Sequence, residues 1–561
     1  MTVVAAPVIR IGTRGSALAL IQAGLVADGL RSLGADVRVD TIVTDGDQRT
    51  PDTAWGEGAF VTAIERALTD GRIDIAVHSA KDVPTDEDPC LTIAAFLPRD
   101  MADDVLVLPA GRRVERLEDL AQGARVGTDS PRRSAFLRAA RRDLLVHPLH
   151  GNVDTRLRRL DAGETDALVL AAAGLRRLGR ADRISLVFPF DVLPSAPGQG
   201  ALAVQVRADD AATLAVVRCL DDAATRRAVL AERALLAASG GGCRAPIGAL
   251  GRVVDGQLHL RAGFATGDGS VAVTVSSVGI GDRDEAMIRV ALGDLADHAA
   301  AAALSLRRPR VIVTRPSGDA AALTLALVDR GFAPVGVSAI AIQPVDPGIV
   351  DGLVDRLPDA DWVVVTSVNA VRALAEAAQR RGVPLAAPGL RWAAVGAATE
   401  RALQDMGVTE VFRPGDATGT ALAEGLPVAA GETVLLPRGD LADEYLPRRL
   451  ADRGARVDTV IVYRTVEAPQ SSVPAIAAAL ADRPVAVVMS SGSAARGWLQ
   501  LAREAGVDDA ARSIDVVAIG PTTVAEARRL GLFVAAVASS PHPAAVADAV
   551  TQAIQTPQET R

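Results

Sequence analysis

The sequence predicts an α/β protein in which short buried strands alternate with amphipathic helices. The first run predicts strands at Val8–Ile11, Val37–Val43 and Ile73–His78, and helices at Ala17–Leu33 and Phe60–Leu68. Such alternation is typical of βαβ units and indicates a mostly parallel sheet. At 561 residues the chain is too long for one hydrophobic core, and we expect roughly three to five compact domains.

The same alternation recurs further along the first half. A second set begins near Asp103 and predicts strands at Arg125–Thr128 and Ala167–Ala171. The segment Leu193–Gly200, which reads LPSAPGQG, is rich in proline and glycine. We expect it to be a return crossing between two lobes.

A third unit begins near Asp221, and the alternation then restarts in the second half. The third unit is predicted to contain the helix Thr225–Ala238, the loop Ser239–Gly242 and a β-rich tail through Val275. Residues 296–308 are predicted to be a linker between two larger units. The buried strands predicted beyond that linker are Val311–Thr314, Trp362–Thr366, Trp392–Val395, Thr433–Pro437, Ala486–Met489 and Val516–Ile519.

The composition excludes several classes of protein. A net charge of −8 and an aromatic content of 3% argue against a nucleic-acid partner. No apolar run reaches the roughly 18 residues of a membrane span, and residues 1–14 lack the pattern of a secretory signal. Cys90, Cys219 and Cys243 are odd in number and widely spaced, which predicts neither a disulfide framework nor a metal site. We therefore expect a cytoplasmic protein.

The densest set of reactive side chains is VHSAKDVP, residues 77–84. Ser79, Lys81 and Asp82 follow a predicted buried strand, and ligands of open α/β sheets bind at the C-terminal ends of strands. Lys81 is the only lysine among 60 Lys and Arg residues. Because lysine is a compact, tunable charge and arginine a planar fork, this favours a specific need for an amine at position 81. Codon bias and a solvated Lys–Asp pair are the alternatives.

Arginines lie in several segments that follow predicted strands. They are Arg14, Arg132, Arg133, Arg156 and Arg177. Each one alone is more often a surface residue, but the set suits a ligand that carries several carboxylates.

Cys243 lies in SGGGCRAPIG, a glycine-rich loop directly after a predicted helix. The three glycines free the backbone and remove side-chain cover, which favours a reactive or covalently modified thiol. The alternative is a small buried hydrophobic residue.

Over residues 8–300 the chain resembles porphobilinogen deaminase, also called hydroxymethylbilane synthase. The resemblance is carried by IGTRGSALAL, DIAVHSAKDVP, VGTDSPRR, GNVDTRL, APGQGAL and GGCRAPIG. It implies two lobes like those of type II periplasmic binding proteins and a smaller α/β domain that carries the cofactor loop. The implied divisions are 8–100 with 198–218, then 101–197, then 219–295.

The same resemblance implies the residues of an active site. Asp82 matches the catalytic aspartate, and Cys243 matches the cysteine that holds a dipyrromethane cofactor through a thioether. The implied cofactor ligands are Ser79, Lys81, Asp104, Ser130, Arg132 and Arg133. The implied substrate ligands are Arg14, Ser16, Arg156 and Arg177.

Four positions depart from the pattern of that family. Thr53 and Glu57 stand where many members carry lysines, and His150 stands where an arginine is common. Asp129 replaces a serine and adds a negative charge where an anionic substrate is expected. These departures bear on the turnover rate and on cofactor binding.

Hydroxyl-bearing and glycine residues follow the predicted strands of the second half, where helix N-termini suit anionic groups. They are Thr314, Thr366, Ser367, Gly396, Ser490 and Ser491, with Thr399 and Gly520–Thr523 at the starts of helices. The alternative for each is an ordinary helix cap. The second half contains no metal-ligand cluster, no nucleophile–base pair and no dinucleotide fingerprint.

Over about residues 309–555 the chain resembles uroporphyrinogen-III synthase. The matching segments are VIVTRP, VTSVNAV, AVGAATERAL, LLPRGD, GARVDTVIVYRT and AIGPTTVAEA. The resemblance implies two α/β lobes, 309–344 with 466–555 and 345–465, joined by two extended strands. It implies a catalytic role for Tyr463 and substrate contacts by Thr366, Ser367, Thr399, Ser490 and Thr522.

Together the two resemblances imply a bifunctional enzyme of tetrapyrrole biosynthesis, a transferase followed by a lyase. The first half would condense four porphobilinogen molecules into hydroxymethylbilane with release of ammonia. The second would close that chain to uroporphyrinogen III, with inversion of the last pyrrole and loss of water. The partners are then small polycarboxylate pyrroles. Two alternatives stay open: a deaminase with a binding or regulatory second half, and a pair of non-enzymatic anion-binding modules.

Overall fold

The computed structural model describes residues 8–43, 61–85, 88–242, 245–279, 284–315, 317–386, 389–416 and 418–555. Thr53, Glu57 and Cys243 lie outside these ranges. In the described ranges no helix combines the length and the apolar composition that a membrane span requires.

The described part of the first half contains strands β1 to β13 and helices α1 to α8. The strands are Ile9–Thr13, Val37–Thr41, Ile75–Ser79, Leu91–Phe96, Asp104–Val107, Arg125–Gly127, Leu145–His147, Ala167–Ala171, Ile184–Val187, Leu202–Arg207, Ile247–Val254, Gln257–Ala265 and Ala272–Val278. The helices are Ala17–Ser32, Thr62–Thr69, Pro131–Ala140, Val153–Asp161, Ala172–Arg177, Ala211–Val217, Ala223–Ala238 and Asp284–Ser305.

The described part of the second half contains strands β14 to β24 and helices α9 to α19. The strands are Arg310–Val313, Ala333–Gly336, Ile340–Pro344, Trp362–Val365, Arg391–Ala394, Val411–Phe412, Thr433–Gly439, Arg456–Glu467, Ala486–Met489, Val516–Ala518 and Val534–Val537. The helices are Ser317–Asp329, Pro347–Val354, Val368–Arg381, Ala397–Asp405, Gly419–Gly425, Tyr445–Asp452, Val473–Ala481, Gly492–Glu504, Asp508–Ser513, Pro521–Arg529 and Pro543–Gln555. The predicted alternation of strands and helices is confirmed.

The first two sheets share one plan. Their strand orders are β2-β1-β3-β10-β4 and β7-β6-β8-β5-β9. In each sheet the first three strands of the order are parallel, and the fourth is antiparallel to both of its neighbours. The chain passes to the second sheet between β4 and β5 and returns between β9 and β10. The predicted return crossing at Leu193–Gly200 is thereby confirmed.

A third sheet, β11-β12-β13, is antiparallel throughout. Helices α7 and α8 pack against it, and alternate residues of its strands enter a common hydrophobic core. Leu258, Leu260, Ala262 and Phe264 show this period of two along β12, as expected for a sheet covered on one face.

Most of the predicted linker at residues 296–308 is helical and packed. Helix α8 continues to Ser305, and its alanines share one core with α9 of the second half. The buried members on the two helices are Ala296, Ala299, Ala303, Ala321, Leu325 and Val328. Alanine has the highest intrinsic helix propensity, and small side chains let two helix axes approach closely. The two halves of the chain are therefore packed together directly.

Polar contacts reinforce this junction between the halves. The backbone N–H of Gly267 donates to Asp329 Oδ1 at 3.2 Å. Arg308 Nη1 donates to the carbonyl of Val328 at 2.6 Å. The loop that precedes Cys243 also reaches the second half, because a methyl group on Gly240 would lie 3.1 Å from Pro543 Cγ.

The second half contains two further sheets. One is parallel throughout, with the order β15-β14-β22-β23-β24. The other has the order β16-β21-β20-β17-β18-β19, in which only the β16–β21 pair is antiparallel. The chain enters the six-stranded sheet through β16 and leaves it through β21, so these paired strands join the two lobes of the second half. The residue limits of the five domains stay a prediction.

We expect the substitution Leu325→Ala in α9 to loosen the third sheet as well as the second half. Leu325 lies in the shared core, where removal of a leucine side chain costs about 2–5 kcal/mol. Hydrogen exchange of the backbone amides in β11 and β12 should be faster than in the wild type. The control is Leu422→Ala in α13, a leucine that is fully buried in a different core of the second half. Exchange in β11 and β12 that is equal in the two variants would contradict the shared core.

Candidate active sites

Strand β3 delivers the densest motif of the sequence to the edge of the first sheet. It lies between β1 and β10, and the chain then makes one turn of 3₁₀ helix at Ala80–Asp82. Ser79 Oγ accepts a hydrogen bond from Gln22 Nε2 at 3.0 Å. A methyl group on Gly198 of the return crossing would lie 3.0 Å from Lys81 N, and Gly198 has a φ of +76°. Only glycine allows the crossing to approach this closely and fix the turn.

A buried carboxylate of the second sheet organises the cations of this site. Asp104, at the start of β5, is fully buried. Its oxygens lie 2.6 Å from Arg133 Nη2 and 2.8 Å from Arg132 Nη1, and they accept a hydrogen bond from Gln199 Nε2 at 2.9 Å. Lys81 Nζ donates to Gln199 Oε1 at 3.0 Å. Three cations thus surround one carboxylate, which leaves a surplus of positive charge.

This cluster shifts the ionisation of its own members. Burial raises the pKa of Asp104, but the charges of Arg132 and Arg133 outweigh burial and hold that pKa well below its usual range. Burial and the charge of Arg133 lower the pKa of Lys81 from 10.5 to about 8, against the attraction of Asp82 and Asp104. Lys81 is therefore mostly protonated at neutral pH and loses its charge as the pH rises through about 8.

A second group of charges surrounds Arg156 at the start of α4. Burial and Arg133 lower the pKa of Arg156 to about 10, while Asp129 and Asp82 oppose this shift. Asp82 follows a strand of the first sheet and Asp129 a strand of the second, so carboxylates from both sheets act on this guanidinium. Asp129 Oδ1 lies 3.1 Å from His150 Nδ1. Two of the positions that depart from the family pattern thus contact each other.

The remaining predicted ligands of the first half lie at helix starts or against the crossing. Ser16 and Ser130 are the N-caps of α1 and α3, and each hydroxyl accepts a backbone N–H of the first turn. Arg14 is half-buried after β1. Arg177 Nη2 donates to the carbonyl of Gly200 at 2.6 Å, so it holds the return crossing in place. Contact of these four side chains with a ligand stays a prediction.

The sequence did not predict two buried polar residues of this site, Gln199 and Glu232. Gln199 bonds to Lys81 beside the first sheet and to Asp104 of the second. The only sign of this in the sequence is a polar residue within the segment APGQG. Glu232 of α7 is fully buried and accepts hydrogen bonds from Arg99 and from the backbone N–H groups of Gly198 and Gly251. It thereby ties the third sheet to the crossing.

Tyr463 and Ser367 come together in the second half. The Tyr463 hydroxyl, on β21, donates to Ser367 Oγ at 3.0 Å. Ser367 is the N-cap of α11, and Thr366 directly precedes it. Gly439, at the end of β20, lies opposite Tyr463, and a methyl group there would be 2.6 Å from the ring. Glycine at position 439 therefore makes room for the tyrosine.

The other predicted residues of the second half are distributed over both sheets. Ser490 and Thr522 follow β22 and β23 of the parallel sheet, whereas Tyr463 and Ser367 belong to the six-stranded sheet. Thr522 is exposed, and Thr399 on α12 is buried. The six-stranded sheet thus holds the paired hydroxyls, and Ser490 and Thr522 lie on the opposite lobe.

Arg438, at the end of β20, is a further buried cation that the sequence did not single out. Its side chain is 3% exposed and lies 3.1 Å from Glu444. Its Nε and Nη1 atoms are buried and have no hydrogen-bond partner within the described residues. The available signal was its place in LLPRGD, directly after a predicted strand.

Models of known protein families match both halves of the chain. The model described as "Porphobilinogen deaminase, dipyromethane cofactor binding domain" matches residues 9–215. The model described as "Porphobilinogen deaminase, C-terminal domain" matches residues 226–292. The model described as "Uroporphyrinogen-III synthase HemD" matches residues 321–548.

Relatives decide the family of the first half. The porphobilinogen deaminase of Mycobacterium marinum is 47% identical over 286 residues, which are 49% of this chain and 90% of the relative. That of Mycobacterium tuberculosis is 47% identical over 282 residues, 48% of this chain and 90% of the relative. The chain belongs to the porphobilinogen deaminase family. Its second half matches the uroporphyrinogen-III synthase model over residues 321–548, which supports a fusion of a deaminase and a synthase.

Solved structures similar to the fusion have low sequence identity to it. A mutant uroporphyrinogen III synthase from Thermus thermophilus is 22% identical to this chain, with a TM-score of 0.37. The match covers 44% of this chain and 99% of the synthase. An ancestral arginine-binding protein bound to arginine is 18% identical to this chain, with a TM-score of 0.24. The match covers 38% of this chain and 90% of the arginine-binding protein. The family of the deaminase half rests on its relatives and on the family models. The interpretation as non-enzymatic binding modules is not favoured.

Proposed function

We propose that Asp82 is the catalytic acid of the deaminase half, in the condensation of four porphobilinogen molecules into hydroxymethylbilane. The observation that carries this proposal is that Asp82 directly follows Lys81 just after the end of β3 and that its charge acts on two cations, Lys81 and Arg156, where it opposes the lowering of their pKa values by burial. Lys81 lies in the turn after β3 of the first sheet, and Arg156 lies on α4, which packs against β8 of the second sheet. A substrate bound between the two sheets would meet the acid and both charges.

The residues of the cleft suit a dipyrromethane cofactor, whose side chains end in carboxylates. Lys81, Arg132 and Arg133 outnumber Asp104, so positive charge is available for those carboxylates. The hydroxyls of Ser79 and Ser130 are further hydrogen-bonding groups. We propose that Cys243, next in the chain after the loop Ser239–Gly242, holds the cofactor through a thioether. When bound, the cofactor supplies the free pyrrole carbon to which the first substrate unit is joined.

Asp82 is placed to assist the departure of ammonia from porphobilinogen. Its side chain is exposed and free to face a substrate. In this step the bond between the methylene carbon and the amine nitrogen breaks, and the electron pair leaves with nitrogen. The carboxyl group of Asp82 donates the proton that the departing amine takes up, and the resulting carboxylate then stabilises the electron-poor pyrrole N–H. Arg14, Ser16, Arg156 and Arg177 are the proposed ligands of the substrate carboxylates.

We propose that Tyr463 donates the proton to the leaving group in the synthase half. The hydroxyl group of hydroxymethylbilane leaves as water, and the carbon–oxygen electron pair leaves with oxygen. Tyr463, held by Ser367 at 3.0 Å, orients that hydroxyl and donates a proton to it. Closure without an enzyme gives the uninverted ring, so the protein must mainly position the two chain ends. The proposed positioning residues are Thr366, Ser367, Thr399, Ser490 and Thr522.

Both halves thus act on small polycarboxylate pyrroles, and we place the protein in the cytoplasm. We propose neither a nucleic-acid partner nor a membrane partner. The product of the deaminase half is the substrate of the synthase half, which gives the fusion its chemical logic.

Intact-mass measurement tests the attachment of the cofactor. We expect the purified protein to carry the added mass of a dipyrromethane, and Cys243→Ala to have the mass of the bare polypeptide because the thioether needs the sulfur. Cys219→Ala is the matched control, since Cys219 is an exposed free cysteine and its loss should leave the adduct in place. An adduct that persists on Cys243→Ala would refute the assignment.

We expect Asp82→Asn to lower kcat for porphobilinogen by roughly 10²–10⁴-fold, because an amide cannot donate the catalytic proton. The readout is the rate of ammonia release at saturating substrate. Asp88→Asn, which changes an exposed carboxylate shortly before β4, should keep the wild-type rate. Equal rates for Asp82→Asn and Asp88→Asn would rule out the acid role.

We expect Tyr463→Phe to slow enzymatic ring closure by roughly 10²-fold, so that more hydroxymethylbilane closes without inversion. Chromatography of the two uroporphyrinogen isomers measures this as a fall in the inverted product at an unchanged deaminase rate. Tyr445→Phe is the control, because Tyr445 is the only other tyrosine and bonds to Glu424 at the surface. An isomer ratio equal to that of the control would exclude the phenol from the reaction.

A further inference from the structure

The loop that joins β12 to β13, residues 266–270, lies against the last turn of helix α3. Arg138 Nη1 of that helix donates to the carbonyl of Gly267 at 2.9 Å. A methyl group on Gly269 would lie 2.6 Å from Ala139 N, and Gly269 has a φ of +71°. Glycine therefore lets the backbone of the loop meet the backbone of the helix directly.

The first turn of the same helix carries Arg132 and Arg133, the two arginines that surround Asp104. Helix α3 has ten residues, and its buried Phe136 and Leu137 pack in the core of the second sheet. A helix of this length is a rigid element, so the position of its last turn is passed on to its first. The loop 266–270 is thereby connected to the cations of the cofactor site.

The synthase half holds the same loop from the other side. The backbone N–H of Gly267 donates to Asp329, the last residue of α9, at 3.2 Å. Arg308, just before β14, donates to Ser270 Oγ and, at 2.6 Å, to the carbonyl of Val328 on α9. Gly267 thus bonds to α3 through its carbonyl group and to α9 through its N–H group.

Asp268 makes the loop between these two contacts stiff. Its Oδ1 accepts hydrogen bonds from Thr266 Oγ1 at 2.5 Å, from Ser270 N at 3.0 Å and from Ser270 Oγ at 2.7 Å. Burial raises the pKa of Asp268, but these hydrogen bonds and the charge of Arg308 outweigh burial and lower that pKa to about 2. The carboxylate is therefore ionised at neutral pH, and the loop can transmit a displacement rather than absorb it.

A second contact leads from the synthase half to the loop that precedes Cys243. Pro543 is the first residue of α19, and a methyl group on Gly240 would lie 3.1 Å from its Cγ. Helix α19 shares a core with α9, to which Leu327 and Val546 belong. The same pair of synthase helices thus reaches two separate elements of the deaminase half.

We propose that helices α9 and α19 of the synthase half position the cofactor-binding residues of the deaminase half. The main route runs from Asp329 through the loop 266–270 to α3 with Arg132 and Arg133. The contact of Pro543 with Gly240 supports the loop before Cys243. This inference rests on the proposed function, because that proposal makes Arg132, Arg133 and Cys243 the residues that hold the cofactor. Asp329 is then a positioning residue, which acts on the deaminase reaction from the other half of the chain.

Lys81 provides a signal for the geometry of the cofactor site. It is the only lysine in the chain, so protein grown with lysine that carries carbon-13 at Cε gives a single lysine signal in NMR. Lys81 Nζ donates to Gln199, which bonds to Asp104, and the charge of Arg133 acts on Lys81. The chemical shift of Cε therefore changes when α3 moves. A mere loss of global stability leaves the signal of the folded protein where it was.

We expect Asp329→Ala in the full chain to shift the Lys81 signal and to lower kcat/KM for porphobilinogen about three- to tenfold, because Gly267 loses its acceptor on α9. Asp329→Asn keeps an oxygen that accepts from Gly267, so it should restore both readouts to the wild-type values.

Asp548→Ala is the matched control. Asp548 lies on α19 and pairs with Arg330 at 3.1 Å, and Asp329 also pairs with Arg330, at 3.5 Å. The control therefore removes a carboxylate with the same partner inside the synthase half, and it should leave both readouts at the wild-type values.

Each outcome decides the proposal. A wild-type Lys81 signal and a wild-type kcat/KM in Asp329→Ala would overturn it, and so would equal changes in Asp329→Ala and Asp548→Ala. If Asp329→Ala does not fold, Pro543→Ala takes its place, because it removes the ring atoms nearest to Gly240, and wild-type readouts in that variant overturn the proposal. A wild-type protein that does not consume porphobilinogen would instead refute the proposed function, and the Lys81 signal would still decide whether the synthase half positions α3.

Discussion

The buried carboxylate of Asp104 is the charge on which the deaminase cleft depends. Arg132 and Arg133 are both almost completely buried, and a buried guanidinium without a counter-charge is strongly destabilising. Asp104 neutralises this pair in part, and Gln199 extends the network to Lys81 on the first sheet. One carboxylate therefore fixes the position of cations that come from both sheets, and the surplus of charge that it leaves is what an anionic cofactor requires.

Much of this arrangement could be predicted from the sequence, because its causes are local. A buried strand followed directly by Ser79, Lys81 and Asp82 predicts reactive side chains at the edge of a sheet, and β3 has this form. The proline- and glycine-rich crossing was found for a similar reason. The pairing of Asp129 with His150 could not be predicted, since each is an isolated departure in the sequence and only the packing of two loops brings them together.

The packing of the two halves against each other could not be predicted from the sequence. Residues 296–308 end one periodic region of the sequence and precede a predicted strand, so the sequence predicts a linker there. Alanine has so small a side chain that its helical periodicity carries little hydrophobic contrast. In the structure the same small side chains allow α8 and α9 to pack closely. The third sheet of the deaminase and the parallel sheet of the synthase are thereby held against each other.

Lys81 is the only lysine in the chain, so any reagent or cellular enzyme that acylates ε-amino groups has a single lysine to act on. With a pKa of about 8, this amine has a larger neutral, nucleophilic fraction at physiological pH than an ordinary lysine. Acylation would abolish its positive charge beside Asp104 and Gln199. Arginine replaces lysine everywhere else and does not undergo this reaction under the same conditions. A chain of 561 residues thus concentrates its sensitivity to lysine acylation in one half-buried side chain of the deaminase cleft.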